Sequence, residues 1–167
     1  TARLEVSGVP NAVAASETHL AVAARVPPSL HVFKLGVWGA ASHVVSLPST
    51  PECVVAVDEN RFAVGTKGGL VLVDAVRGSV VAQVNHPVSG LAFLDGRLYT
   101  LESGFVRVYD EALDVVDTLR VEEPAEGLAA AGTMLAIAAP KKKAWLAVTP
   151  MAGAKTAEQT EPAPALI

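Results

Sequence analysis

The sequence predicts an all-β chain made of four consecutive four-stranded antiparallel units, and three observations carry that prediction. Four prolines, Pro10, Pro51, Pro87 and Pro124, stand just ahead of similar apolar runs, at intervals of 41, 36 and 37 residues. Behind each proline the same order recurs: a small apolar strand, a tight turn, a second strand, a short link and a third strand. The links leave no room for a helix. A repeat of this length is the strongest organising signal a single sequence offers, and it is read before secondary structure in detail.

The first strands fall at residues 12–15, 53–57, 90–94 and 127–131. Each is rich in Ala, Val and Leu. The turns behind them are Glu17-Thr18, Asp58-Glu59-Asn60, Asp95-Gly96 and Gly132-Thr133. Asp-Gly between two apolar runs is a strong hairpin signal, because both residues tolerate the left-handed backbone of a two-residue turn. Second strands follow at 20–24, 61–65, 97–101 and 134–138, and third strands at 30–35, 69–73, 105–109 and 144–148. A fourth strand closes the first three units at 43–47, 80–84 and 115–121, and the polar segment 155–159 is the corresponding candidate in the fourth. The first unit is longer than the others around residues 36–41, at a strand-to-strand loop, where insertions are tolerated.

Strands this short cannot bury both faces alone. Stacked as radial sheets they share faces with their neighbours, which is the architecture of a β-propeller. The units span about residues 9–47, 50–84, 87–122 and 124–160 of a single segment, 1–167. The first strands, smallest and most apolar, belong nearest the crowded axis. A β-sandwich also spaces strands regularly, but it does not require the same proline–strand–turn order four times. Residues 1–6 read as the last strand of a preceding or closing blade. Residues 161–167 repeat the Glu-Pro-Ala opening of residues 123–128 and read as the start of a fifth blade, with a disordered Pro/Ala-rich tail as the alternative. The expectation is therefore four blades forming part of a larger ring.

Composition narrows the function. The chain is 51% hydrophobic and 18% charged, a packed chain and not a disordered one. A net charge of −4 gives no bulk attraction for nucleic acid or an anionic membrane. The apolar stretch at residues 127–140 is too short for a membrane span and is broken by Gly132-Thr133. Cys53 is the only cysteine, so no internal disulfide forms, which fits a reducing intracellular compartment, the cytoplasm.

The third unit reads His86-Pro87-Val88-Ser89-Gly90-Leu91-Ala92-Phe93-Leu94-Asp95-Gly96, then Val106-Arg107-Val108-Tyr109-Asp110. This resembles a degenerate WD-repeat blade, in which a His precedes the inner strand, a Leu-Ala-Phe-like strand leads to Asp-Gly, and Trp-Asp or Tyr-Asp ends the third strand. The second unit keeps Val73-Asp74 at that last place. The first and fourth units have Lys34-Leu35 and Val148-Thr149 there, and the family's Gly-His pair is missing, with Asn85-His86 nearest to it. The resemblance implies a non-enzymatic scaffold for protein–protein interaction within a larger complex. It also gives Asp74 and Asp110 a structural, blade-stapling role.

Chemistry-bearing residues are sparse. His19, His31, His43 and His86 lack metal-pair spacing and no cysteine cluster exists, so neither a metal site nor a cofactor is expected. Gly65-Thr66-Lys67-Gly68-Gly69 is followed by a strand and not a helix, which makes it a hairpin turn and not a phosphate cradle. Asp58 and Asp95, at equivalent turns, are expected to accept backbone N–H bonds. Cys53 lies on an inner strand with no local positive charge, as a buried inert thiol does. No catalytic residue is expected. The competing reading is a propeller-type enzyme, a lactonase-like hydrolase or a quinone-dependent dehydrogenase, with its catalytic groups outside these blades. Candidate partner-binding residues are the basic run Lys141, Lys142 and Lys143, which would suit acidic ligands, and Trp38 in the long loop of the first unit.

Overall fold

A computed structural model describes residues 3–121, 125–131, 134–139 and 144–148. The described residues contain fifteen strands and no helix. The first sheet is β1 (Pro10–Ala15), β2 (His19–Ala24), β3 (Ser29–Lys34) and β4 (His43–Ser46), in that order. The second is β5 (Pro51–Ala56), β6 (Arg61–Thr66), β7 (Leu70–Asp74) and β8 (Ser79–Val84). The third is β9 (Gly90–Leu94), β10 (Arg97–Glu102), β11 (Phe105–Tyr109) and β12 (Val115–Arg120). The fourth holds β13 (Gly127–Ala131), β14 (Met134–Ala139) and β15 (Ala144–Val148). Every pairing is antiparallel between chain neighbours, as a meander of tight turns dictates. The candidate fourth strand at 155–159, the turn at Gly132-Thr133 and the tail at 161–167 lie outside the described residues.

Three apolar layers join the four sheets, and the two-residue period of each strand decides which layer a side chain enters. In β6, Phe62 and Val64 enter the layer shared with the first sheet, among Ala21, Ala23, Leu30 and Val32. Ala63 lies on the other face, in the layer shared with the third sheet, among Leu70, Leu72, Leu91 and Leu98. The third layer holds Tyr99, Leu101, Val106 and Val108 of the third sheet against Leu135 and Ile137 of the fourth. Strands β6 and β7 of the second sheet are therefore apolar on both faces, which is why they read as near-continuous hydrophobic runs. The outer strands β8 and β12 are largely exposed.

The first strands of successive sheets pack on one another in chain order, β1 on β5, β5 on β9 and β9 on β13. Among the described residues no packing of comparable extent joins β13 back to β1, so the array is open. Polar side chains reinforce the join between the first two sheets. Ser16 Oγ and Thr18 Oγ1 both donate to the Glu59 carbonyl, at 2.8 and 2.7 Å, and Asn11 Nδ2 donates to the Pro51 carbonyl at 2.9 Å. Gly78, at φ 63°, leaves room for the His43 ring, which occupies the space a β-carbon there would need.

Candidate functional site

Trp38 sits in the loop between β3 and β4, at residues 35–42. Gly36 and Gly39, at φ 84° and 120°, bend the backbone outward through conformations that a side chain resists. The loop is tethered at its base: the Val37 N–H donates to the Lys34 carbonyl at 3.1 Å, and the Ser42 N–H to the Val32 carbonyl at 2.7 Å. Its tip is apolar. Trp38 is 56% exposed, and Leu35 and Val37 beside it are exposed as well. Three adjacent apolar side chains held out in solvent form a small contact surface, with an aromatic that can act as an anchor. Beside the loop lies an open groove of about 820 Å³, lined by residues 3–7, His31, Ala40, Ala41 and Val44. Lys141, Lys142 and Lys143 lie outside the described residues, so Trp38 is the one sequence-predicted contact residue that the structure places.

His31 and His19 are structural. His31 is buried on β3, with Nε2 3.3 Å from Ser29 Oγ and 3.5 Å from Ser7 Oγ. Burial pushes its pKa down, against the opposing contact with Ser7, so the neutral ring is favoured. His19 Nδ1 lies 2.8 Å from Thr18 Oγ1 and close to the Glu59 carbonyl, at the join between the first two sheets. Among the described residues no group of three or more His, Cys, Asp or Glu is placed to hold a metal ion.

The aspartates organise turns, in different ways. Asp58 Oδ1 accepts from the Asn60 and Arg61 N–H groups at 2.8 and 2.7 Å, and its other oxygen meets the Arg61 guanidinium. Burial acts to raise its pKa, but the Arg61 side chain and the two backbone donors outweigh that and hold it below the usual carboxylate range. Asp95 serves through its backbone: at φ 49°, followed by Gly96 at 72°, it forms the two-residue turn between β9 and β10. Asp74 ends β7 and Asp110 follows β11, and each holds the turn after its strand. Asp74 Oδ1 accepts from the N–H groups of Val76 and Arg77, and Asp110 Oδ1 from those of Ala112 and Asp114. The glycine-rich segment after β6 is a hairpin turn, in which Thr66 Oγ1 bonds the carbonyl and N–H of Gly69 at 2.8 and 2.9 Å.

One cluster has no counterpart in the sequence reading. Glu102, at the end of β10, has a side chain only 8% exposed. Its Oε1 accepts from Thr100 Oγ1 at 3.2 Å and Tyr109 Oη at 3.3 Å, and its Oε2 lies 3.3 Å from Arg107 Nη1. Strand alternation carries the signal: residues 98, 100 and 102 share the face of the third sheet turned to the second, and Thr66 fills the equivalent place in β6. All three partners are spent on one carboxylate, which makes the cluster a staple between β10 and β11.

Cys53 on β5 packs against Gly65, where a β-carbon would lie 2.5 Å from its sulfur. Burial pushes the thiol up to about 12, and the charge of Glu52 adds to this against a backbone contact with Gly65. Such a thiol is almost wholly protonated at neutral pH, and thiolate is the reactive form. With a disulfide reagent at pH 8, native protein should react at least tenfold more slowly than protein in denaturant. Equal rates would contradict the packing of Cys53 against Gly65.

No family model matches the chain, and no curated protein matches its sequence. Among solved structures, the crystal structure of the computationally designed Ika4 protein is similar, with a TM-score of 0.73 at 14% identity, over 87% of this chain and 93% of that one. That likeness shows the all-β arrangement of repeated antiparallel sheets and nothing about activity.

Proposed function

We propose that the four sheets are blades of a β-propeller, similar to WD-repeat propellers, and that the protein is a non-enzymatic scaffold for protein–protein contacts in a larger assembly. The observation that carries the reading is the contrast between its polar and apolar surfaces. The described aspartates of the turns, His19, His31 and Glu102 are all spent on holding turns, sheets and joins, while Leu35, Val37 and Trp38 are held out in solvent on a glycine-hinged loop. The stacking of first strands in chain order, through three apolar layers, supports the blade arrangement. Function on such a fold resides in the loops it presents. The basic run Lys141 to Lys143 is a second contact point for acidic partners.

Cross-linking of the purified protein in its native extract, followed by identification of the linked peptides, tests this. Trp38→Ala should remove a defined set of links and leave the far-ultraviolet spectrum unchanged, because an exposed side chain contributes little to stability. Charge reversal at Lys141, Lys142 and Lys143 should remove a second set. Identical links in wild type and both variants would sink the scaffold reading. Turnover of lactones or quinone-coupled alcohols by the protein alone would replace it with the propeller-enzyme alternative.

A further inference from the structure

We infer that the partner held by the Trp38 loop presents a basic segment, with Lys or Arg side chains around an apolar residue. The inference rests on the scaffold reading above and names the chemistry of that partner. It starts from topology. In an antiparallel meander, the turn after the first strand and the link after the third lie at the same end of the sheet. The Trp38 loop, the turns at residues 16–18, 58–60 and 95–96, and the links at 75–78 and 110–114 therefore share one end of the array. Polar contacts make this end continuous. The Leu35 N–H, at the base of the Trp38 loop, donates to the Thr18 carbonyl at 2.9 Å. Thr18 Oγ1 donates to the Glu59 carbonyl at 2.7 Å, and Arg61 Nη2 lies 3.7 Å from Glu111 of the third sheet.

This end is negative. Glu17, Glu59, Asp95 and Asp114 are exposed and make no ion pair among the described residues. Two of its cations are already paired, Arg61 with Asp58 and Glu111, and Arg77 with Asp74, which leaves Lys34 and Arg97. The opposite end is mixed: Arg25 and Lys67 there flank Glu52, and Arg120 is exposed. The apolar part belongs to the acidic end and not to the outer face of the first sheet. Val76, in the equivalent link of the second sheet, is 58% exposed although both faces of that sheet are covered.

Charge complementarity then selects the occupant. The face of an exposed indole attracts an ammonium or a guanidinium, and Trp is the strongest of the aromatic residues in this. Glu17 and Glu59, on the turns tied to the loop, offer carboxylates to the same cations in charge-assisted hydrogen bonds. Leu35 and Val37 cover an apolar residue of the segment and shield those contacts from water. The negative end also speeds encounter with a basic surface and discriminates against an acidic one. It repels nucleic acid and anionic membranes, so the occupant is a segment of protein.

Fluorescence anisotropy of a dye-labelled peptide, Arg-Leu-Lys-Arg-Leu-Lys with blocked ends, tests the inference on the whole chain. Wild type should bind it, about tenfold more weakly in about 0.3 M salt than in about 0.05 M. Trp38→Ala should raise the dissociation constant about tenfold. Glu17→Gln with Glu59→Gln should raise it by a similar factor and flatten the salt dependence. Glu126→Gln, an exposed acid ahead of β13 at the opposite end, should leave it unchanged. If Trp38→Ala fails to fold, Trp38→Leu keeps the apolar bulk without the aromatic face and should show the same loss. No binding by wild type overturns the inference. So does binding indifferent to Trp38, or an equal loss in Glu126→Gln. The scaffold reading fails separately. Cross-links that depend on Trp38 without peptide binding keep the scaffold and overturn the basic partner, whereas peptide binding with cross-links identical in wild type and variants does the reverse.

Discussion

Phe62→Ala is expected to destabilise the fold by about 3–5 kcal/mol, the range for emptying a large aromatic site in a core. Phe62 is fully buried in the layer between the first two sheets. Its neighbours decide where in that range the loss falls. Ala21, Ala23 and Val32 are short, and each belongs to a strand paired on both sides, so none can move in to fill the cavity. The chain has only four phenylalanines, so few other side chains of that size support the core. Against a total stability of about 5–15 kcal/mol for an ordinary domain, this is a large share. Urea unfolding followed by circular dichroism measures it. Phe105→Ala is the control: Phe105 is exposed on β11, and its loss should cost under about 1 kcal/mol. Similar losses at the two sites would mean that the layer between the sheets is not packed as described.

The same layer shows what the sequence could and could not disclose. Turn chemistry made the sheets legible. Asp95-Gly96 and Asp58-Glu59-Asn60 punctuate apolar runs of strand length, and both lie at turns. Proline gave the period but misled on boundaries. The sequence pattern puts Pro10 and Pro51 ahead of their strands, whereas each is the first residue of one, at a register shift from Pro10 to Ala12 and from Pro51 to Cys53. Proline is admitted there because a strand's first residue can forgo its ladder N–H. Trp38 was legible as a loop residue from the extra length around residues 36–41, but its exposure was not, since a loop tryptophan can equally fold back onto its sheet. Glu102 escaped because an acidic residue at a strand end looks like a solvated terminus. Only the pairing of β10 with β11, which sets Thr100 opposite Arg107 and brings Tyr109 onto the same face, turns that end inward. Pairing across sheets is a long-range property, and a period in one sequence does not contain it.

Arg107→Met should cost about 3 kcal/mol or more at pH 8, because it leaves the Glu102 carboxylate buried without its counter-charge. The two remaining donors, Thr100 Oγ1 and Tyr109 Oη, both meet Oε1, so Oε2 loses the partner it has. The tyrosine stays a donor at this pH: burial pushes the Tyr109 phenol up, Arg107 opposes it, and Glu102 adds to it. Urea unfolding at pH 8 measures the loss. The double variant Glu102→Leu with Arg107→Met removes the stranded charge together with its partner, and should recover most of the loss, as apolar replacements of buried ion pairs do. A double variant as unstable as Arg107→Met alone would show that the cost came from lost packing of the arginine stem. The cluster would then be a cover over β10 and not an electrostatic staple.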